Sequence, residues 1–213
     1  MATAKRKTAA ERWALPVRQE RSRETRERLL AAAERAFAEN GYDGAKLSDI
    51  AKAAGVSVGA VYFRFKDKEA LFQAIAESFT EQARTRLAQF SDELARYDPP
   101  QIVRIFVLRT AENIRVHRGL FRAIIERGLE HPPVMSVMMG FRDEIAAALE
   151  TALSRRMGNI ADLGDAVRVA TQMIYGFLLI GVINPEAPTR RTRDAVGGLA
   201  DAVAAYFEAL ARK

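Results

Sequence analysis

Cysteine is missing altogether from the 213-residue chain, and its absence excludes disulfides and thiolate metal sites. Histidine is nearly missing as well. Only His117 and His131 offer an imidazole, and they do not form an HExxH-like ligand spacing, so zinc chemistry has no ligand set here. There is no Gly-rich phosphate loop and no nucleophile elbow, and scattered carboxylates alone do not make an active site. The expectation is therefore a non-enzyme without metal or cofactor. Long apolar runs are lacking too: the longest, Met173 to Ile183, has 11 residues, where spanning a bilayer takes about 20. It reads as a buried core helix. The stretch MATAKRKTAAERWALPVRQERS is basic, without the apolar core and small-residue cleavage site of a secretion signal, which points to a cytoplasmic protein with no membrane partner.

What is present is an ordinary globular composition, 49% hydrophobic and 28% charged, long enough for one large domain or a small domain joined to a larger one. The net charge of +6 is unevenly placed. Residues 1–66 carry 14 Lys and Arg against 8 Asp and Glu, whereas residues 67–213 carry 19 of each. A basic excess confined to one third of a chain suggests a polyanionic partner for that third; a solvated basic tail is the other reading.

Hydrophobic periodicity is helical throughout, and no segment shows strand alternation. The first twenty or so residues are polar and basic, with Pro16 as a breaker, and read as a mobile arm. From Thr25, Leu29, Leu30, Ala33, Ala36 and Phe37 recur at helical spacing until Asn40-Gly41 stops the run. Leu47, Ile50, Ala51 and Ala54 form the stripe of a second, short helix closed by Gly55. Ser57 is an N-cap for a third carrying Val61, Tyr62 and Phe65, and Asp67 is a cap for a fourth. Two short helices joined by Gly55-Val56-Ser57 make a helix-turn-helix pattern. Further helices are expected near 68–96, 100–117, 118–128, 132–157, 163–183 and 192–212, separated by Pro- and Gly-containing breaks.

The segment Gly41 to Leu71, GYDGAKLSDIAKAAGVSVGAVYFRFKDKEAL, resembles the DNA-binding segment of the TetR family of regulators. The resemblance rests on Phe37, Asn40-Gly41-Tyr42, Asp49-Ile50-Ala51, Ala54-Gly55-Val56-Ser57, Gly59-Ala60-Val61-Tyr62, Phe65 and Lys68-Glu69 with Leu71. It covers about residues 25–72. It implies an all-α fold: an N-terminal three-helix helix-turn-helix domain joined to a larger helical ligand-binding and dimerisation domain. The corresponding boundaries are 1–22 for the arm, 23–67 for the reading head and 68–213 for the larger domain.

The DNA-binding set expected is Lys46, Ser48, Ser57, Val58, Gly59, Ala60, Tyr62, Phe63, Arg64 and Lys68; the resemblance implies Tyr62 and Lys68 on backbone phosphates, while Lys46 and Arg64, which stands where many members have His or Tyr, depart from the family and enter by their own chemistry. Ser57 places free N–H groups at a helix N-terminus, which suits a phosphate, and Gly59 has no Cβ to hold DNA away. Lys46 stands where the family usually has Ser or Thr, and it cannot cap by accepting a hydrogen bond. Val58, Ala60 and Phe63 contact a thymine methyl at best, so Arg64 is the strong donor left to read a guanine edge. The arm either enters a narrow minor groove or is a solvated tail.

In the C-terminal helix, Val196, Leu199, Val203, Tyr206, Phe207 and Leu210 make a bulky face, and Ala195, Gly198, Ala202, Ala205 and Ala209 a small one. By resemblance, the bulky face packs on its own subunit and the small face meets a second copy in a four-helix bundle. Burial within one chain is the alternative. A sensory cavity is implied as well, with Phe106, Arg109, Phe121, Met135, Met138, Met139, Phe141 and Tyr175 as candidates, because methionine and aromatic side chains line adaptable pockets. Arg109 is either a buried counter-ion for an acidic ligand or a surface ion-pair partner. The function expected is that of a homodimeric repressor, released from a palindromic double-stranded operator by a small-molecule effector. The rival is a nucleoid-associated or partner-controlled protein with the same heads and no cavity.

Overall fold

Alanine, arginine and glutamate, all strong helix formers, dominate the start of the chain, and the first helix, α1 (Ala9–Gly44), is 36 residues long. The computed structural model describes residues 9–94, 96–158, 160, 162–184 and 193–212. The arm expected over residues 1–22 is thus corrected from Ala9 onward, where the backbone is helical through Pro16; residues 1–8 lie outside the described residues. At the other end Gly41 leaves the helix with φ 72°, a left-handed conformation that glycine adopts without a Cβ clash, and it turns Tyr42 into the core.

Two short helices follow, α2 (Leu47–Ala53) and α3 (Val58–Tyr62), joined through Gly55 at φ 68°. The larger domain contains α4 (Lys68–Leu94), α5 (Pro99–Val116), α6 (Arg118–Arg127), a short 3-10 turn (Gly128–Glu130), α7 (Pro132–Met157), α8 (Leu163–Ile183) and α9 (Arg193–Ala211). Among the described residues there are nine α-helices and no strand. Local chemistry accounts for the boundaries. Asp67 Oδ1 accepts from Ala70 N–H at 2.8 Å at the head of α4. Asp98 and Gln101 form a reciprocal capping box in front of α5, and Pro132 opens α7.

One continuous apolar core runs from the head into the larger domain. Phe37, Tyr42 and Phe72 pack with ring centroids 5.3 to 6.1 Å apart, and the buried His131 ring joins them at 5.5 Å from Tyr42 and 5.6 Å from Phe72. Burial, then the neighbouring Glu69 carboxylate, pushes the Tyr42 phenol up to about 12. α6 lies against α1, α7 against α4, and α9 against α5. α8 is apolar and long enough by composition to cross a bilayer. Its inner face, with Leu163, Val167, Ala170, Ile174, Leu178 and Val182, is instead buried in the core.

Candidate nucleic-acid interface and inner cavity

The head is held together by the apolar stripe of its helices, with Leu29, Ala33, Phe37, Ile50, Ala51 and Val61 almost fully buried. That leaves the outer faces of α2 and α3 in solvent. Ser57 caps α3 as expected, its Oγ accepting from Ala60 N–H at 3.2 Å, whereas Lys46 precedes α2 without a side-chain cap and is exposed. Ser48, Val58, Gly59, Tyr62 and Phe63 are exposed with it, and Ala60 is half-buried. The apolar Val58 and Phe63 are 41% and 86% exposed, which no packing within the chain accounts for. A Cβ on Gly59 would meet nothing closer than Ser57 Oγ at 3.8 Å. The fold itself therefore has room for alanine there, and the glycine answers to no contact within the chain.

Two residues of the expected set are engaged differently. The Lys68 ammonium donates to the carbonyls of Tyr42 at 2.8 Å, Ala45 at 3.2 Å and Asp43 at 3.3 Å, and it sits over the Tyr42 ring. Its three N–H groups close the open end of α1, so in this structure the ammonium is a capping group. Arg64 follows the end of α3 instead of lying on it; it is half-buried, and Nη1 donates back to Ala60 O at 3.1 Å.

The larger domain carries a cavity of about 430 Å³, bounded by α4, α5, α6, α7 and α8 and open to solvent past the exposed Leu108 and Val116. Phe106, Arg109, Phe121, Phe141 and Tyr175 of the expected set line it. Met135 and Met138 do not, and neither does Met139. Met135 Sδ packs on Gly128, Met138 is buried in the core, and Met139 faces outward; the side of α7 on which each stands could be known only from its neighbours. Arg109 is no buried counter-ion: its side chain is 59% exposed and pairs with Glu93 at 3.1 Å. Burial pushes the Tyr175 phenol up to about 12, so it remains a hydrogen-bond donor. Residues that periodicity did not single out complete the lining, among them Arg86, Asn113, Ile145 and His117.

His117 belongs to both halves of the molecule. It lines the cavity, stands edge-on to Phe79 at 4.9 Å, and its Nδ1 is 3.0 Å from Glu34 Oε1 on α1. Phe79 in turn touches two rings of the cavity wall, Phe121 and Phe141, at 5.6 and 5.9 Å. Beyond His117, α6 continues along α1. Arg122 Nη1 donates to Ala38 O at 2.9 Å, and Glu126 Oε2 accepts from Tyr42 N–H at 2.7 Å. These contacts satisfy polar groups that the end of α1 leaves open.

The outer face of α9 is small-sided as expected: Gly198, Ala202, Ala205 and Ala209 are exposed, and Ala195 is half-buried. Beyond the small residues, the exposed side of α8 carries Val169, Met173, Phe177, Ile180 and Ile183. The sequence signal for this second face was available. A helix apolar nearly all round needs cover on more than one side.

Exposed short helices at a capped turn, on a basic head seated on a helical body, define a helix-turn-helix DNA-binding regulator. The profile described as "Bacterial regulatory proteins, tetR family" matches residues 29–75. The HTH-type transcriptional repressor BepR of Brucella suis is 31% identical over 169 residues, which cover 73% of this chain and 79% of BepR. The chain belongs to the TetR family; it is a transcriptional regulator and not an enzyme. The fold is similar to the crystal structure of a TetR-family regulator from Mesorhizobium loti, with a TM-score of 0.72, 22% identity, and 89% of this chain and 98% of that one covered. It is also similar to FadR from Bacillus subtilis in complex with stearoyl-CoA, with a TM-score of 0.62, 23% identity, and 87% and 97% covered.

Proposed function

We propose that this chain acts in the cytoplasm as a homodimeric repressor on a palindromic operator and is released when a small molecule fills the cavity of the larger domain. The observation that carries this reading is His117, which is at once a wall of the cavity and the 3.0 Å partner of Glu34 on the helix that supports the head. An occupant that displaces His117 or the Phe79 ring beside it acts on α1 directly. Operator affinity then falls by the occupant's differential affinity for the two arrangements of the heads. A cavity of 430 Å³ lies in the range of small-molecule sites, which favours this reading over a head-only DNA binder. That FadR, of the same fold, was solved with stearoyl-CoA supports a small-molecule effector in general.

On DNA, Lys46, Ser48, Ser57, Tyr62, the exposed α3 residues Val58 and Gly59, and Phe63 at the end of that helix form the contact surface, and Arg64 reads a base edge once it leaves Ala60 O. The α8 and α9 outer faces form the dimer contact, burying the apolar side chains that one copy leaves in water. The test is footprinting on the inverted repeat beside the coding gene, with a panel of small molecules, for the wild type and His117→Leu. We expect the variant to keep the footprint and to lose release. A variant released as readily as the wild type would remove His117 from the mechanism.

A further inference from the structure

The charges that line the cavity are already matched, with one exception. Arg109 is paired with Glu93 at 3.1 Å. Glu112 is held by Arg115 through two hydrogen bonds of 2.6 and 2.7 Å, and His117 faces Glu34. The remaining polar lining, Thr110, Asn113 and Tyr175, is uncharged. Arg86, on α4, lines the cavity and makes no hydrogen bond or ion pair with any described residue. No lining carboxylate is left over, so a cationic occupant has no uncommitted counter-charge to meet. An anionic one does. The rest of the wall is hydrocarbon and ring: Leu87, Phe106, Phe121, Phe141 and Ile145.

Resting on the reading of this cavity as the effector site, we propose that its ligand is an amphipathic organic anion, with its apolar body among the phenylalanines and its acid group on the Arg86 guanidinium. A guanidinium presents a planar fork that takes a carboxylate or sulfonate through two parallel N–H donors. Arg86 is exposed, so the attraction is screened by salt, and the preference it confers is several-fold instead of absolute. Selectivity follows from the sign of the unmatched charge: among molecules of the same size, acids are favoured over neutral and basic relatives.

Two fluorescent probes with the same aromatic frame separate the terms: anilinonaphthalene sulfonate, which carries the acid, and neutral phenylnaphthylamine, which does not. Titrated into the full-length protein at low salt, the sulfonate is expected to bind about fivefold tighter than the amine. The advantage should shrink at high salt. Arg86→Gln should abolish it without changing the amine's affinity, and Arg86→Lys should restore part of it. Equal affinities for both probes in the wild type, or an advantage that survives Arg86→Gln, would overturn the proposal and leave the cavity reading standing. If neither probe bound, both readings would fall together.

Discussion

At Gly119, the second residue of α6, the backbone of the larger domain lies directly against that of the head. A Cβ built there lies 1.8 Å from the Glu34 carbonyl oxygen, 2.7 Å from its carbon and 3.1 Å from Ala38 N. All three are backbone atoms of α1, so no rotamer change relieves the clash. To bring the oxygen to the 3.4 Å of an ordinary contact, Gly119→Ala must drive the two helices about 1.6 Å apart. That movement would stretch the Arg122 to Ala38 and Tyr42 to Glu126 bonds as well. Overpacking in a core costs about 1–3 kcal/mol where side chains can yield, and here the upper end is expected, about 3 kcal/mol. For a chain of this size that corresponds to a melting point lower by about 6–12 °C. Gly140→Ala is the matched control: Gly140 is an exposed glycine in α7 with nothing within 4 Å of its built Cβ, and the change should be neutral or stabilising by up to about 1 kcal/mol. Thermal and urea unfolding at one protein concentration give both numbers. If Gly119→Ala melted with Gly140→Ala, the close approach of α6 to α1 would be wrong, and with it the route from cavity to head.

Tyr62→Phe should weaken operator and nonspecific DNA alike, with unchanged melting, because the hydroxyl is exposed and phosphate contacts carry no sequence information; a loss confined to one operator base in a binding panel would refute this. Lys68→Ala should weaken DNA binding and also destabilise the head by about 1–2 kcal/mol, since three carbonyls lose their donor; wild-type stability in a urea titration would remove the capping role. Ala202→Arg, and separately Phe177→Asp, should give folded chains that sediment as monomers, each placing a charge in the apolar contact proposed for two copies. Unaltered dimers for both would exclude that face.

Much of the architecture was written locally. Asn40-Gly41, Ser57, Asp67, the Asp98-Pro99-Pro100 break and the His131-Pro132-Pro133 break each act through their own backbone geometry or through hydrogen bonds reaching only a few residues. Helix boundaries expected from them agree closely with α5 (Pro99–Val116) and the start of α7 (Pro132–Met157). The capped turn and its apolar stripe likewise revealed the reading head and the family. What remained hidden depends on which helices become neighbours. Periodicity shows that α7 has an apolar face, but it does not say that Phe141 meets the cavity while Met138 meets the core. Lys68 reads as a free amine until α4 is laid beside the end of α1, where three carbonyls take it up. His117 and Glu34 are 83 residues apart in sequence, and nothing local marks either one. Their 3.0 Å contact exists because Gly119 lets two helix backbones touch, a condition set by tertiary packing alone.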